Sequence, residues 1–253
     1  MSVPVLMYHH VLPKSGSIAI GVNEFEAQMK MLAENSYNTI TPKELELWKT
    51  GQISLPKKSV LITFDDGWRD NFIYAYPVLK KYNLKATIFL VTGWINAASE
   101  HRADFEPLEH EEAKKEAKNK PGALFLNWDE VAQMSDIISF HSHTHGHTDG
   151  YFGSLPFKQD LELCKSTIKS RLGFDDTHLC WPRGQFDETR LKSAKELGYK
   201  VFYTTIRGTN AVDNELDSIK RIAIKNSKFW LQKSLFIYGS DTLSRLYSKI
   251  KNN

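Results

Sequence analysis

The chain has 253 residues, of which 41% are hydrophobic and 25% are charged, and its formal net charge is +3. This length and composition predict one globular domain with a substantial core, because single α/β barrels commonly reach this size. The small charge comes without a dense basic stripe, so we expect no nucleic-acid partner.

The chain start and the cysteines give expectations about location. Residues 1–9 have neither a basic region nor a long apolar run, so they lack the pattern of a signal peptide. No apolar segment of the sequence has the length needed to span a bilayer. We therefore expect cytoplasmic residence. The two cysteines, Cys164 and Cys180, are too few for a disulfide scaffold, and a bridge between them is allowed but not implied.

Short apolar runs alternate with helical patterns along the chain. Strand-like runs lie at 3–8, 59–64, 86–91, 137–140, 179–181 and 199–204. Helix starts are marked by Asn23, by Thr41 with Glu44, and by Asn127 with Glu130. This repeated order predicts a parallel sheet, open or closed into a barrel.

Two stretches depart from the alternation. Residues 99–120 are rich in Glu and Lys and predict a charged insertion on the surface, as a solvated helix or a mobile loop. Residues 229–250 are aromatic and basic, which favours packing onto the barrel, with peripheral contact to a membrane as the alternative. Without internal repeats or a low-complexity linker, residues 1–253 are interpreted as a single domain.

The first chemical motif is Thr-Phe-Asp-Asp-Gly at 63–67, directly after a buried strand. Catalytic groups in parallel α/β folds gather at the carboxyl ends of the strands. Adjacent carboxylates at Asp65 and Asp66 point in different directions, so one can bind a metal while the other acts as a base. Gly67 allows a sharp turn after them. An ordinary Asp-Asp-Gly turn is the alternative.

The second motif is His-Ser-His-Thr-His-Gly-His at 141–147, which holds four of the nine histidines and follows a predicted strand. Neutral imidazole is a common zinc ligand. Two histidines and one carboxylate leave positions open for water and substrate, as in catalytic rather than structural sites. A solvated polar loop with adventitious metal binding is the alternative.

Together the two motifs resemble the signatures of the polysaccharide deacetylase family, also called the NodB-homology or carbohydrate esterase 4 family. In that family the first Asp of the first signature is the base and the second is a metal ligand, and the second signature reads His-[Ser/Thr]-x-x-His. The resemblance implies a distorted (β/α) barrel with about seven parallel strands. It also implies a metal-dependent hydrolase that removes N-acetyl groups from an amino sugar and releases acetate.

The histidine tract matches the second signature in two registers. His143 with His147 is preferred, because the family run has one residue between the strand and its Ser-His-Thr. His141 with His145 is the other register. With Asp66, the preferred pair implies a divalent metal site, for Zn²⁺ or alternatively Co²⁺ or Ni²⁺, and Asp65 is then the base.

The third signature, Arg-x-Pro-Tyr, is altered to Cys180-Trp181-Pro182-Arg183. Cys180 stands where the arginine that orients the base is expected. Arg183 either takes over that role from a new direction or forms a surface ion pair. Its backbone N–H is expected to face the developing oxyanion.

The late Leu-x-His signature that supplies a general acid is absent from the sequence. Instead the chain opens with Tyr8-His9-His10, which resembles the circularly permuted branch that deacetylates poly-N-acetylglucosamine. In a closed barrel the first and last strands are neighbours, so the resemblance implies that His9 is the general acid, with His10 as the next candidate. A buried, hydrogen-bonded histidine is the structural alternative.

The expected substrate is an acetylated amino sugar, as a glycan or a lipid-linked or nucleotide-linked intermediate. Three alternatives are considered: a glycan-binding pseudoenzyme, an O-acetyl esterase, and an amidohydrolase or phosphoesterase of the His-x-His type. The last needs histidines on later strands, where this chain offers only His178.

Overall fold

The structure is a computed structural model that describes residues 2–251, with side chains described except at positions 245 and 248–251. Its strands are β1 Val5–Tyr8, β2 His10–Leu12, β3 Ala19–Gly21, β4 Asn38–Thr39, β5 Ser59–Phe64, β6 Ala86–Leu90, β7 Ile138–Ser142, β8 His178–Cys180, β9 Val201–Tyr203 and β10 Ile222–Ala223. Its α-helices are α1 Val22–Glu34, α2 Pro42–Lys49, α3 Tyr76–Lys81, α4 Thr92–Glu100, α5 His110–Glu116, α6 Pro121–Leu124, α7 Trp128–Met134, α8 Phe157–Leu172, α9 Glu188–Glu196, α10 Lys228–Tyr238 and α11 Asp241–Lys251.

Seven parallel strands form the main sheet, in the order β10-β1-β5-β6-β7-β8-β9, and the short strand β4 pairs with β5. The sheet curls into a half-barrel surrounded by helices. This is the distorted (β/α) barrel with about seven strands that the sequence predicts. All six residues of β5 are buried, as expected for a parallel strand covered on both faces.

Local capping signals fix two helix starts as predicted. Thr41 with Glu44 and Asn127 with Glu130 each form a complete capping box. In each, the first side chain accepts from the backbone N–H of the glutamate, and the glutamate side chain accepts from the backbone N–H of the first residue. The prediction that Asn23 caps the first helix is wrong. Strand β3 runs directly into α1, so Gly21 precedes the helix and Asn23 lies inside its first turn.

The charged insertion at 99–120 is packed rather than wholly solvated. It contains α5, and Ala113 and Ala117 are fully buried against the core. At the close approach of Gly122, a Cβ atom would lie only 1.9 Å from the carbonyl oxygen of His101, so the backbone comes too near for any side chain. The prediction of a mobile surface loop therefore fails for the α5 part of the insertion.

Helix α10, the first of the two helices near the C-terminus, packs against α1 and buries Leu231, Leu235 and Tyr238. On its outer side Phe229 and Phe236 are 76% and 72% exposed. Among residues 2–251 no helix combines the length and the apolarity needed to cross a membrane.

Candidate metal centre and active site

Asp66 and two histidines meet at the carboxyl ends of β5 and β7. His143 Nε2 lies 3.3 Å from Asp66 Oδ1, and His147 Nε2 lies 3.8 Å from the same oxygen. One ligand atom from each residue falls within 4.8 Å of the others, which is the spacing of a possible metal site. The structure thus brings together the three residues that the sequence predicts as ligands.

Hydrogen bonds on the far side of each ring fix how the histidines face Asp66. His143 Nδ1 lies 2.8 Å from the carbonyl oxygen of Cys180, and His147 Nδ1 lies 2.8 Å from Asp149 Oδ2. Both partners are acceptors, so each Nδ1 carries a proton and each ring turns its Nε2 toward Asp66. Two imidazole nitrogens and a carboxylate that converge in this way fit a divalent cation.

Without a metal ion, a proton on His143 balances the negative charge of Asp66, as the pKa values of the two groups indicate. Burial opposes ionisation of Asp66, but its hydrogen bond to His143 and the nearby histidines hold its pKa well below 3.8. Burial also disfavours the charged form of His143, yet Cys180, Asp66 and Asp65 raise the pKa of that ring well above 6.5. A metal ion and a proton therefore compete for His143 Nε2.

A second group with ligand spacing consists of Asp65, His143 and Cys180. It fits a metal less well. Both oxygens of Asp65 accept hydrogen bonds from Arg221, and burial raises the pKa of the Cys180 thiol, which disfavours the thiolate that a metal needs.

Asp65, the predicted base, is held by an arginine that the sequence interpretation did not identify. Arg221 Nη1 donates to Asp65 Oδ1 at 2.6 Å, and Nη2 donates to Oδ2 at 2.8 Å. Both side chains are buried. Burial opposes the ionised carboxylate, but the charge and hydrogen bonds of Arg221 keep the pKa of Asp65 below 3.8. Asp65 is therefore ionised and fixed in orientation at neutral pH.

Arg183 does not contact Asp65, so the sequence-based option that it orients the base is wrong. Its guanidinium is half exposed and pairs with Asp149, which in turn holds His147. The altered third motif still serves the site in two ways. The Cys180 carbonyl fixes His143, and the Cys180 thiol lies 3.7 Å from Asp65 Oδ1.

His9, the predicted general acid, lies beside the base. Its Nε2 is 3.8 Å from Asp65 Oδ2, and its side chain is 23% exposed to the site cavity. Burial lowers the pKa of His9, against the opposing effect of the two aspartates, so the ring is neutral in the free protein at neutral pH. His10, the second candidate, is buried and bonded to Asp70 instead.

The two histidines of the rival register lie outside the trio. His141 Nδ1 bonds Asp176 Oδ1 at 2.7 Å, and His145 Nδ1 bonds Thr92 Oγ1 at 2.9 Å. Neither takes part in a group with metal-ligand spacing among the described residues.

A cavity of about 200 Å³ opens over these groups. The residues that line it include His9, Asp65, Asp66, His143, His147, Trp68, Trp94, His110, Lys114, Tyr151 and Arg183. Trp68 Nε1 donates to Asp66 Oδ2 at 2.8 Å, so this tryptophan orients the carboxylate. Trp181 instead stacks in the core between Phe186 and Phe202.

Backbone strain also concentrates here. Asp66, His147 and Arg183 line the cavity with φ values of 78°, 58° and 57°, in the left-handed region that non-glycine residues seldom adopt. Such strain persists where surrounding contacts over-determine the conformation, and it clusters at functional sites.

Comparison with known proteins places these features in a family context. The family model described as polysaccharide deacetylase matches residues 52–202. A Bacillus subtilis (strain 168) protein named "Putative polysaccharide deacetylase YxkH" is 35% identical over 224 residues, which are 88% of this chain and 71% of that protein. The poly-beta-1,6-N-acetyl-D-glucosamine N-deacetylase of Escherichia coli (strain K12) is 23% identical over 242 residues, covering 83% of this chain. That alignment covers 34% of the E. coli protein, so this chain spans about one third of its length.

Among solved structures, the Streptococcus pyogenes deacetylase PplD in complex with acetate aligns with a TM-score of 0.77 and 26% sequence identity. The alignment covers 93% of this chain and 98% of that one. The half-barrel is thus shared over nearly its full length.

Proposed function

This chain belongs to the polysaccharide deacetylase family, and on that premise we propose that it is a divalent-metal-dependent N-deacetylase that releases acetate from an N-acetylated amino sugar. One observation carries the proposal. The Nε2 atoms of His143 and His147 converge on Asp66, and a buried, ionised Asp65 lies in the same cavity.

Asp66, His143 and His147 are the residues that would hold the ion. Zn²⁺ suits a set of two imidazoles and one carboxylate, and Co²⁺ and Ni²⁺ accept the same donors. When bound, such an ion polarises an acetamide carbonyl and makes a bound water acidic.

Asp65 acts as the base in this proposal. Its pKa below 3.8 keeps it ionised, and the bidentate contact with Arg221 fixes the direction of both oxygens. A carboxylate held in this way accepts a proton from the attacking water without first having to reorient. Because its pKa is low, the protonated Asp65 then gives the proton away readily.

His9 is the group within reach of that proton. Its neutral Nε2 lies 3.8 Å from Asp65 Oδ2, which a small displacement of either side chain shortens to hydrogen-bond length. The protonated His9 then donates to the nitrogen of the departing amine, which cannot leave as an anion. Asp65 and His9 thus form a two-residue path that moves one proton from water to the amine.

The names of the relatives supply the first substrate to test. Several are named as poly-beta-1,6-N-acetyl-D-glucosamine N-deacetylases, which makes β-1,6-linked N-acetylglucosamine the first substrate to test. Lipid-linked and nucleotide-linked N-acetyl sugars share the same acetamide group and belong in the same panel.

The test is acetate release over a panel of N-acetylated and O-acetylated sugars, by protein stripped with a chelator and then reloaded with Zn²⁺. We expect release from an N-acetylated sugar that is lost on chelation and restored by the metal. Asp65→Asn serves as the inactive control. Zinc-loaded protein that releases acetate only from O-acetyl esters, or that binds sugars without releasing acetate, contradicts the proposal.

A further inference from the structure

The charged insertion brings a histidine into the active-site cavity. His110 opens α5, and both His110 and Lys114 line the cavity above Asp66. The ring of His110 lies edge-on to Trp68, with 5.8 Å between the ring centroids. Neither the metal trio nor the proton path of Asp65 and His9 uses this residue.

A chain of hydrogen bonds fixes His110 from behind. His10 Nδ1 lies 2.7 Å from Asp70 Oδ2, and His10 Nε2 lies 3.1 Å from His110 Nδ1. The other oxygen of Asp70 accepts from the backbone N–H of Val11 and from Asn71 Nδ2, each at 2.8 Å. Asp70 is thus the acceptor at the buried end of the chain.

The polarity of this chain follows from which atoms can donate. Asp70 can only accept, so His10 carries its proton on Nδ1. His10 is 1% exposed, and its ring lies tilted against that of Trp68 with 4.3 Å between the centroids. Its Nε2 meets His110 Nδ1, so Nε2 is the ring nitrogen of His110 that is left for another partner.

That nitrogen is available to a ligand. His110 Nε2 makes no hydrogen bond to the residues that the structure describes, and Glu111 Oε1 lies 3.9 Å away. Burial and the neighbouring His10 lower the pKa of His110 to about 4, so the ring is neutral at neutral pH.

We propose that His110 Nε2 forms a hydrogen bond with a hydroxyl group of the sugar substrate, and that Asp70 and His10 are positioning residues that hold the ring in place. The inference rests on the proposed function, because it concerns the sugar that carries the acetamide. A sugar hydroxyl can donate to or accept from a neutral imidazole nitrogen, so it matches this atom. A site built around one such hydrogen bond discriminates against sugars that lack the matching hydroxyl.

The test measures binding of a β-1,6-linked N-acetylglucosamine oligosaccharide and its monodeoxy analogues by calorimetry. It uses zinc-loaded Asp65→Asn protein, which binds without turnover. We expect one monodeoxy analogue to bind about fivefold more weakly than the parent sugar, as for the loss of one neutral hydrogen bond. When His110→Phe is combined with Asp65→Asn, the affinity for the parent sugar should fall by about the same factor. The affinity for that analogue should not fall further.

Three variants sharpen the comparison. His110→Gln keeps an acceptor oxygen and should retain part of the discrimination, and it also serves if the phenylalanine variant folds poorly. His10→Phe removes the positioning contact and should abolish the discrimination while His110 is still present. Lys115→Ala, at an exposed position on the same helix, should change nothing.

Acetate release by protein with native Asp65 is measured on the same oligosaccharide. Suppose that acetate is released, but that the affinity of each deoxy analogue relative to the parent sugar is the same with and without His110→Phe. This inference is then overturned and the proposed function stands. If zinc-loaded protein neither binds the panel sugars nor releases acetate from them, the proposed function fails, and the inference fails with it.

Discussion

Asp65 and Asp66 are adjacent in the chain, but their carboxylates contact different kinds of side chain. Asp66 faces two imidazoles and a tryptophan N–H, whereas Asp65 faces a guanidinium. The positive φ of Asp66 turns its carboxylate away from that of its neighbour. The sequence motif predicts this division of roles, and the geometry supports it; metal binding and catalysis remain predictions.

Arg221 is the functional residue that the sequence interpretation missed. It lies 156 positions after Asp65, beyond any local pattern. The available signal is weak: Arg221 stands directly before Ile222 in the short segment Ile219-Lys220-Arg221-Ile222, and a buried arginine there would need a charged partner. Cys180 stands in the place of the family arginine, and its thiol and Arg221 both contact Asp65 Oδ1.

Arg221→Lys tests this orientation through pH dependence. A base must be deprotonated, so activity falls as pH drops through the pKa of Asp65. Arg221 lowers that pKa, and lysine loses the two-pronged contact. We expect the acidic limb of kcat/KM to move to higher pH, kcat to fall at least tenfold and zinc content to stay the same. An unshifted acidic limb would show that Arg221 does not tune the base.

His9→Gln tests the proton path by comparing a leaving group that needs a proton with one that does not. We expect about a 100-fold loss of kcat on an N-acetyl sugar, the usual scale of general acid catalysis. A nitrophenyl acetate ester needs no proton to leave, so on it His9→Gln should lose little while Asp65→Asn still loses activity. Equal losses by His9→Gln on both substrates would argue against the acid role.

At the scale of elements, strand β1 explains how an N-terminal histidine reaches the base. It lies between β10 and β5, pairing Leu6 with Ile222 on one side and with Ile62 on the other. Residues just beyond the ends of β1 and β5 therefore stand side by side. The sequence argument that the first and last strands are neighbours predicts this, even though the sheet is a half-barrel.

The capping boxes show which local features a sequence specifies well. Thr41 and Asn127 satisfy helix ends within four residues, so no distant contact is needed. We expect Thr41→Ala to reduce the free energy of unfolding by about 1 kcal/mol in urea titration. Lys57→Ala, at an exposed loop position, is the matched control and should be neutral. No difference between the two variants would mean that the box does not stabilise α2.

The insertion shows where composition misleads. Its many Glu and Lys residues predict a solvated segment, yet His110, Ala113 and Ala117 follow one another at spacings of three and four. That spacing puts them on one face of a helix, and this face is the one that turns to the core and the cavity. Small residues give a weak hydrophobic signal, so the pattern is easily overlooked.

At the scale of the whole molecule, the alternation of strands and helices predicts the fold, because each unit is local and the connection rules for parallel sheets are few. The site is harder to predict. Its residues come from positions 9, 65–66, 143–149, 180 and 221, and only the folded sheet determines which of them meet. The family motifs predict the metal-ligand residues. The residues that orient the ligands and the base are identified only from the structure.

Metal binding should stabilise the whole fold, because it links β5 to the loop after β7. Zinc at 100 times its Kd adds about 2.7 kcal/mol to the free energy of unfolding, which a thermal scan with and without zinc detects. Because the pKa of metal-free His143 is raised above 6.5, protons occupy the site as pH falls, and the zinc-dependent shift should shrink. A shift that is independent of pH, or that persists in Asp66→Ala, would place the zinc elsewhere.

The most direct test of the central claim is to measure zinc content and acetate release on the same samples of the unaltered chain, Asp66→Ala and Asp65→Asn. The account predicts one zinc and turnover for the unaltered chain, neither for Asp66→Ala, and a full zinc complement with turnover at least 100-fold lower for Asp65→Asn. Zinc retained by Asp66→Ala, or acetate released at the unaltered rate by Asp65→Asn, would contradict it.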